Sequence, residues 1–373
     1  MNRILSLIGT FVLFSQLNLF GQTKESRELF PVCEKGKCGY IDRTGRIAIP
    51  LQFAEAFDFS DGLARVVVDG KFGFIDKAAR VIIQPRFGFA LDFTEGLAPV
   101  TDDPTDGKWG YVDKSGKIVI PEQFKSAKGF SDGIAPVEVE REGGLVHNRT
   151  GTRFRSLWGY IDKAGELVIP PELIAAFPFR NGVARLWTGA FVSQNKYGLI
   201  DKSGKEIIEP KFDNIVSDFR EGLAPFRIEN KWGFIDTTGK VVIEPRFDSA
   251  RDFSEGFGRV ALKNKANIFE WGFIDRTGKI IIQPQFEDTG DFEEGLAWVR
   301  PFGRKVGYID QRGNLMIKPK FEAANAFSRG LAQVMILGDK KSVDPHGREY
   351  QTPKYGYIDR TGKFIWKPTY QEF

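Results

Sequence analysis

Residues 63–87 set out a pattern that the rest of the chain repeats. Leu63-Ala64-Arg65-Val66-Val67-Val68, Phe72-Gly73-Phe74-Ile75-Asp76 and Val81-Ile82-Ile83 are three short apolar runs. Each has the length and the β-branched or aromatic content of a strand. Asp69-Gly70 between the first two runs predicts a two-residue hairpin turn, since both residues tolerate positive φ. Between the second and third, an Asp-x-x-Gly pattern predicts a type I turn, with the Asp side chain bonding the turn backbone and Gly in the left-handed position. Ala79 stands where other copies have that Gly, which predicts local strain or a different turn. In the second strand Phe72 and Phe74 share one face and Gly73 and Ile75 the other. The third strand lacks alternation, which predicts burial on both faces. Pro85 then closes it, having no N–H for a ladder. The unit is a three-stranded antiparallel meander followed by a Phe-bearing crossover.

The second strand and its turn recur as x-Gly-aromatic-Ile-Asp-x-x-Gly, with glycines at Gly39, Gly73, Gly110, Gly159, Gly198, Gly233, Gly272, Gly307 and Gly356. The Asp follows in all nine copies: Asp42, Asp76, Asp113, Asp162, Asp201, Asp236, Asp275, Asp310 and Asp359. Eight copies continue to a Phe and a Gly in the crossover, Phe59/Gly62, Phe93/Gly96, Phe130/Gly133, Phe179/Gly182, Phe219/Gly222, Phe253/Gly256, Phe292/Gly295 and Phe327/Gly330. A sheet covered on both faces needs neighbours, so a lone unit is not expected to fold. The strand glycine is expected to leave room for a crossover Phe from the adjacent unit. Propeller blades usually have four strands and about 40–45 residues. Three strands per unit and nine whole units therefore predict an all-β tandem array, open or gently superhelical like a solenoid, with a closed propeller-like ring as the alternative.

These residues carry a resemblance. With Trp109-Gly110, Trp158-Gly159, Trp232-Gly233 and Trp271-Gly272, residues 28–373 resemble the WG-repeat family of bacterial proteins. The other five copies put Cys38, Phe72, Tyr197, Val306 or Tyr355 at the Trp position. The resemblance implies an all-β repeat used as a binding or display module, and it supplies no catalytic residues.

Composition then becomes a tally of units. The 373 residues include 41 Gly and 34 Phe, with Phe filling between sheets and Gly serving strands, turns and crossovers. Hydrophobic residues at 42% and charged residues at 27% exclude wholesale disorder. Two His and two Cys are too few for a series of metal sites, and a net charge of +4 gives no argument for nucleic acid. Residues 1–21 read as an export signal: Asn2-Arg3, then an apolar stretch from Ile4 to Phe14, too short to span a bilayer. The repeat domain is then 22–373, placed in the periplasm, at the cell surface or outside, with no membrane span after cleavage. Cys33 and Cys38 flank Glu34-Lys35-Gly36-Lys37, so their strand positions face each other. Export makes that pair a structural disulfide.

The spacing between successive strand glycines runs 34, 37, 49, 39, 35, 39, 35 and 49. Nearly all the variation lies between the first and second strands, so the insertions project from one edge of the array, the expected binding edge. The two longest, Glu138 to Leu157 and Met335 to Lys354, hold both histidines. His147, Arg149, Arg153 and Arg155 in one, and Lys340, Lys341, His346 and Arg348 in the other, are the candidate ligand-binding residues, suited to anionic groups. The nine Asp residues are assigned to their turns, because each stands once per unit without a partner carboxylate at ligand spacing. No catalytic residue, metal or cofactor is assigned, and no Gly-rich phosphate loop leads from strand to helix. Asn148-Arg149-Thr150 matches a glycosylation sequon, which has no role in a bacterial setting. An exported non-catalytic scaffold for an envelope or extracellular protein, peptide or glycan ranks first. A purely structural or display array ranks second, and a carbohydrate-active enzyme with loop-edge carboxylates third.

Overall fold

The computed structural model describes residues 28–140, 155–189, 196–216, 219–343 and 347–370, and the backbone of 146–147 and 153–154. Nine antiparallel sheets, one per repeat, follow one another as blades of a closed ring, a nine-bladed β-propeller. The closed ring, expected as the alternative, is therefore the architecture, and the open array is corrected to it. So is the strand count, because seven blades have four strands and blades 1 and 5 have three. The extra strand is the crossover itself. In blade 2, Glu55–Ser60 pairs with Leu63–Val68, which pairs with Lys71–Asp76 and that with Val81–Phe87. In blade 3 the added strand shrinks to Phe89–Ala90, and in blade 4 to Ser126–Ala127.

The crossover Phe joins one blade to the next. Each lies in the leading segment of its blade, and seven of the eight meet the second-strand aromatic of the blade before, Phe219 packing with Leu199 instead. Tyr40–Phe59, Phe74–Phe93, Tyr111–Phe130, Tyr160–Phe179, Phe234–Phe253, Phe273–Phe292 and Tyr308–Phe327 have ring centroids 4.7 to 5.1 Å apart. Their tilted and edge-on arrangements suit the quadrupoles of the rings. Where the partner is Tyr, its hydroxyl donates to a leading-segment carbonyl of the next blade: Tyr40 to Phe57, Tyr111 to Lys128, Tyr160 to Phe177 and Tyr308 to Asn325, at 2.7 to 2.8 Å. Tyr and Phe can interchange because that carbonyl satisfies the extra hydroxyl.

A related contact closes the ring, with a first-strand Phe in place of the crossover Phe. Tyr357 of blade 9 packs on Phe30 of blade 1 at 5.6 Å, and its hydroxyl donates to the Pro31 carbonyl. Phe30, Val32, Ile41, Leu331 and Tyr357 form one buried cluster across the junction. The Thr369 hydroxyl donates to the Cys33 carbonyl at 3.0 Å. Blade 1 is built wholly from Leu29–Glu34, Lys37–Asp42 and Ile47–Phe53, and blade 9 from Ala323–Ala324, Ala332–Val343, Glu349–Ile358 and Phe364–Tyr370. Among the described residues, side-chain packing and side-chain-to-carbonyl bonds hold this seam, with no strand exchanged between the two blades.

Two further expectations are corrected. The strand glycine faces backbone rather than a crossover ring. A Cβ on Gly110 would lie 2.6 Å from the Ile120 carbonyl oxygen, and one on Gly272 2.5 Å from that of Ile282. At this point the pairing slips by a bulge, as between Trp271/Phe273 and Phe273/Ile274, which pushes the third strand against the second. The third strand is also not buried on both faces. As the outermost strand it buries only its third and last residues, Ile49 and Phe53 in blade 1, and leaves Ile47 53% exposed. Its proline and neighbouring charges blunt the open edge against pairing with another chain.

The turn after the second strand takes the left-handed conformation in every blade, with Gly in eight and Ala79 at φ 63° in the ninth. A left-handed L-residue costs about 1–2 kcal/mol. Ala79→Gly should therefore raise stability by about 0.5–1 kcal/mol after its own entropy cost. A urea midpoint that stays put or falls would show that the packing of this methyl outweighs the strain.

Candidate functional site

An antiparallel meander puts alternate connections on opposite sides of the ring. The loop face carries the connections between first and second strands. The turn face carries the leading-to-first and second-to-third turns. Both long insertions are on the loop face, in blades 4 and 9. Five units apart in an open array, they stand across the ring from each other once it closes.

The blade 9 insertion is an extension of the sheet rather than an irregular loop. Ala332–Val343 pairs with Glu349–Ile358 out to Ser342↔Tyr350 and Val343↔Glu349. Its flanking strands stop much earlier, with pairs ending at Ala323↔Met335 and Lys354↔Tyr370. A two-stranded ribbon thus rises from the loop face. The Lys354 ammonium and the Tyr370 hydroxyl both bond Asp339 at 2.6 Å at its base. Lys354 first, then Tyr370, hold the Asp339 carboxyl well below the usual carboxylate range. The Lys340 N–H donates to the Tyr370 hydroxyl. Lys341 pairs with Glu349 at 2.8 Å. Arg348, like the apolar Leu337, Val343 and Tyr350, is exposed, and His346 lies outside the described residues.

In blade 4, Val146–His147 and Arg153–Phe154 pair as a separate two-stranded antiparallel ladder with His147 opposite Arg153. Arg155 is exposed, and Arg149 lies outside the described residues. The structure therefore brings His147 and Arg153 together in backbone register. It places Lys340, Lys341 and Arg348 on one ribbon, on the far side of the ring. Cys33 and Cys38 are joined by a disulfide at the loop-face end of blade 1, beside the seam.

On the turn face, each of the nine Asp residues accepts the N–H two residues on, from Thr44 to Asp42 at 2.8 Å through Thr361 to Asp359 at 2.9 Å. Hydroxyls of Ser115, Ser203, Thr238 and Thr277 add a second bond and are the main reason Asp113, Asp201, Asp236 and Asp275 ionise below the ordinary range. Among the described residues no group of His, Cys, Asp and Glu has the arrangement of a metal site.

A second ring of acids escaped the sequence reading. The turn between leading and first strands is an acid-Gly pair with both residues at positive φ, as in Asp61-Gly62 at 51° and 90° or Glu95-Gly96 at 51° and 93°. The acid spans to the next blade and accepts the N–H of that blade's turn glycine. The links are Asp61 to Gly96, Glu95 to Gly133, Asp132 to Gly182, Glu221 to Gly256, Glu255 to Gly295 and Glu294 to Gly330, at 2.6 to 3.1 Å. The residue after the next blade's turn Asp adds a second tie, Lys114 to Asp61 at 2.7 Å and Arg276 to Glu221 at 3.2 Å. Lys114 is the chief cause of the lowered Asp61 pKa. Such contacts recur blade to blade where neighbouring blades approach most closely, around the axis. The signal was present as an acid before the crossover glycine, but its partner is one whole repeat away.

A model of the family described as WG containing repeat matches nine segments, residues 39–72, 72–103, 109–141, 158–186, 197–232, 232–265, 271–300, 307–340 and 355–373. No curated protein matches the chain. Among solved structures, "Crystal structure of the eukaryotic initiation factor" superposes with a TM-score of 0.61 at 10% identity, over 92% of this chain and 97% of that one. At that identity it shows the fold alone. BamB from Moraxella catarrhalis gives 0.41 at 11% identity over 82% and 96% of the two chains. A structure of prolyl endopeptidases gives 0.44 at 9%, over 89% and 54%.

Proposed function

Because the chain belongs to the WG-containing repeat family, we propose that it is an exported, non-catalytic scaffold that binds an envelope or extracellular partner, a protein, peptide or glycan, through its loop face. The observation that carries this reading is the blade 9 ribbon. It extends the ladder to Val343↔Glu349, well past both flanking strands. Its basic Lys340, Lys341 and Arg348 alternate with exposed Leu337, Val343 and Tyr350. That mixture suits a partner bearing carboxylates beside apolar groups. Export rests on the leader-like residues 1–21, and the Cys33–Cys38 bridge supports an oxidising compartment.

The test replaces residues 337–353 by Asp-Gly, which joins Ile336 to Lys354 by the hairpin turn already used at Asp69-Gly70. Retention on peptidoglycan sacculi is compared for residues 22–373 with and without the ribbon. The full chain is expected to be retained, and the shortened chain to lose at least tenfold in affinity, about 1.4 kcal/mol. Equal retention of the two would remove the ribbon from the reading and leave the structural array.

A further inference from the structure

The acid-to-glycine ring on the turn face is broken between blades 5 and 6. Blade 5 carries Asn181 where the other interior turns carry an acid, and its amide donates to the Phe219 carbonyl instead. In blade 6 the turn tightens into a short 3-10 segment, Arg220–Gly222, and the Gly222 N–H stays within its own blade by donating to Phe219. Thr237 stands where Lys114 or Arg276 would tie the acid of the blade before. Neither of the two links used at the neighbouring junctions is made here.

The residue before the acid also changes. Ser60, Thr94, Ser131, Ser254 and Ser328 hold this place in five blades, and Ser60 and Ser131 donate forward to the carbonyls of Phe93 and Phe179. Blades 5 and 6 substitute Arg180 and Arg220. A cavity of about 260 Å³ opens at this break, lined by Asp132, Arg180, Asn181, Phe219, Arg220 and Glu221 among others, with the Glu221 carboxylate already accepting from the Gly256 N–H and from Arg276. Its charges are unequal in their commitments. Asp132 accepts from Gly182. Arg220 reaches past blade 7 to bond Asp291 and Glu293 of blade 8, both at 2.9 Å. Among the described residues, the exposed Arg180 guanidinium has neither a hydrogen bond nor an ion pair.

We propose that this cavity at the axial mouth of the turn face binds an oxyanion, a carboxylate or phosphate group, through Arg180. The planar guanidinium fork matches either group with two parallel hydrogen bonds. The buried ring of Phe219 walls the site, so the pair is less screened than on an open surface. Arg220, fixed by its two carboxylates, supplies a second guanidinium at the rim. The cavity is smaller than the usual drug-sized pocket, so it takes a small anion or the charged end of a larger ligand.

The test is an equilibrium titration of residues 22–373 with inorganic phosphate and, separately, with succinate at low ionic strength. Saturable 1:1 binding is expected, and the tighter of the two probes names the natural group. Arg180→Ser, which restores the residue found in blade 4, should weaken binding at least tenfold with an unchanged melting temperature. Arg304→Ser, an exposed cation on the loop face, should leave it unchanged. The assignment fails if neither probe saturates, if Arg180→Ser binds as well as the parent, or if Arg304→Ser weakens binding as much. These outcomes are independent of the ribbon, which lies on the opposite face.

Discussion

Phe292→Ala should destabilise the ring by about 3–5 kcal/mol, the range for emptying a buried aromatic site. Phe292 is fully buried and lies between two aromatic partners, Phe273 of blade 7 at 4.7 Å and Phe257 at 4.8 Å. It also packs on Ile282, Ala297 and Val299, so both blades line the void left behind. Neither sheet can close that void without moving as a whole. Phe302→Ala on the loop face, where the ring is 42% exposed, should change stability by no more than about 0.5 kcal/mol. Urea unfolding followed by tryptophan fluorescence measures both. A loss below about 1 kcal/mol at Phe292 would show that the blades hold together by something other than the crossover aromatics.

Gly272→Ala is the second large effect. Its added methyl would stand 2.5 Å from the Ile282 carbonyl oxygen and 2.6 Å from the Pro284 nitrogen. Those atoms belong to the backbone of the bulged outer strand, so no rotamer change relieves the clash. The cost should reach the upper end of the range for overpacking, about 3 kcal/mol. Gly70→Ala gives the comparison. Gly70 has a φ of 73° but nothing within 4 Å of an added Cβ, so only the conformational cost of about 1–2 kcal/mol applies. Equal losses at the two sites in the same urea assay would refute close backbone approach as the reason for the strand glycine.

Nine units, their strand order and the turn role of each Asp were legible because each depends on contacts within about 15 residues. The Trp position tolerates Cys38 or Val306 because it sits toward the outer strand, facing the last residue of that strand, as in Trp271↔Phe286. The next aromatic is fully buried against the following blade, and its place is held by Tyr, Phe or, once, Leu199. Closure was not legible. The leading strand that gives a blade its fourth member is as short as Phe89–Ala90, too brief for any periodicity. The seam partners of blades 9 and 1 are some 300 residues apart in sequence. The blade 9 insertion passed for a loop because a two-stranded ribbon with solvent on both faces has no core to impose alternation. Of its candidate cations, Lys341 meets Glu349 within the ribbon, a pairing that charge counting in sequence does not reveal. The role of Arg180 depends on a hydrogen-bond ring that forms only when blades stand side by side, so nothing within its own repeat marks it.

The seam has a chemistry of its own. Blade 9 places Arg329 where six interior blades place an acid, and blade 1 places Glu28 where the others have the turn glycine. Arg329 bonds the Leu29 carbonyl and Asp58, and lies 3.6 Å from Glu28. An Arg has no acceptor to offer a glycine N–H, so blade 9 cannot dock as an interior blade does. Six of the joints inside the ring share one type of fastening, while the last joint uses a different one. Duplicating or losing an interior blade would leave both closing surfaces intact. The seam contacts would then persist between the same two end blades.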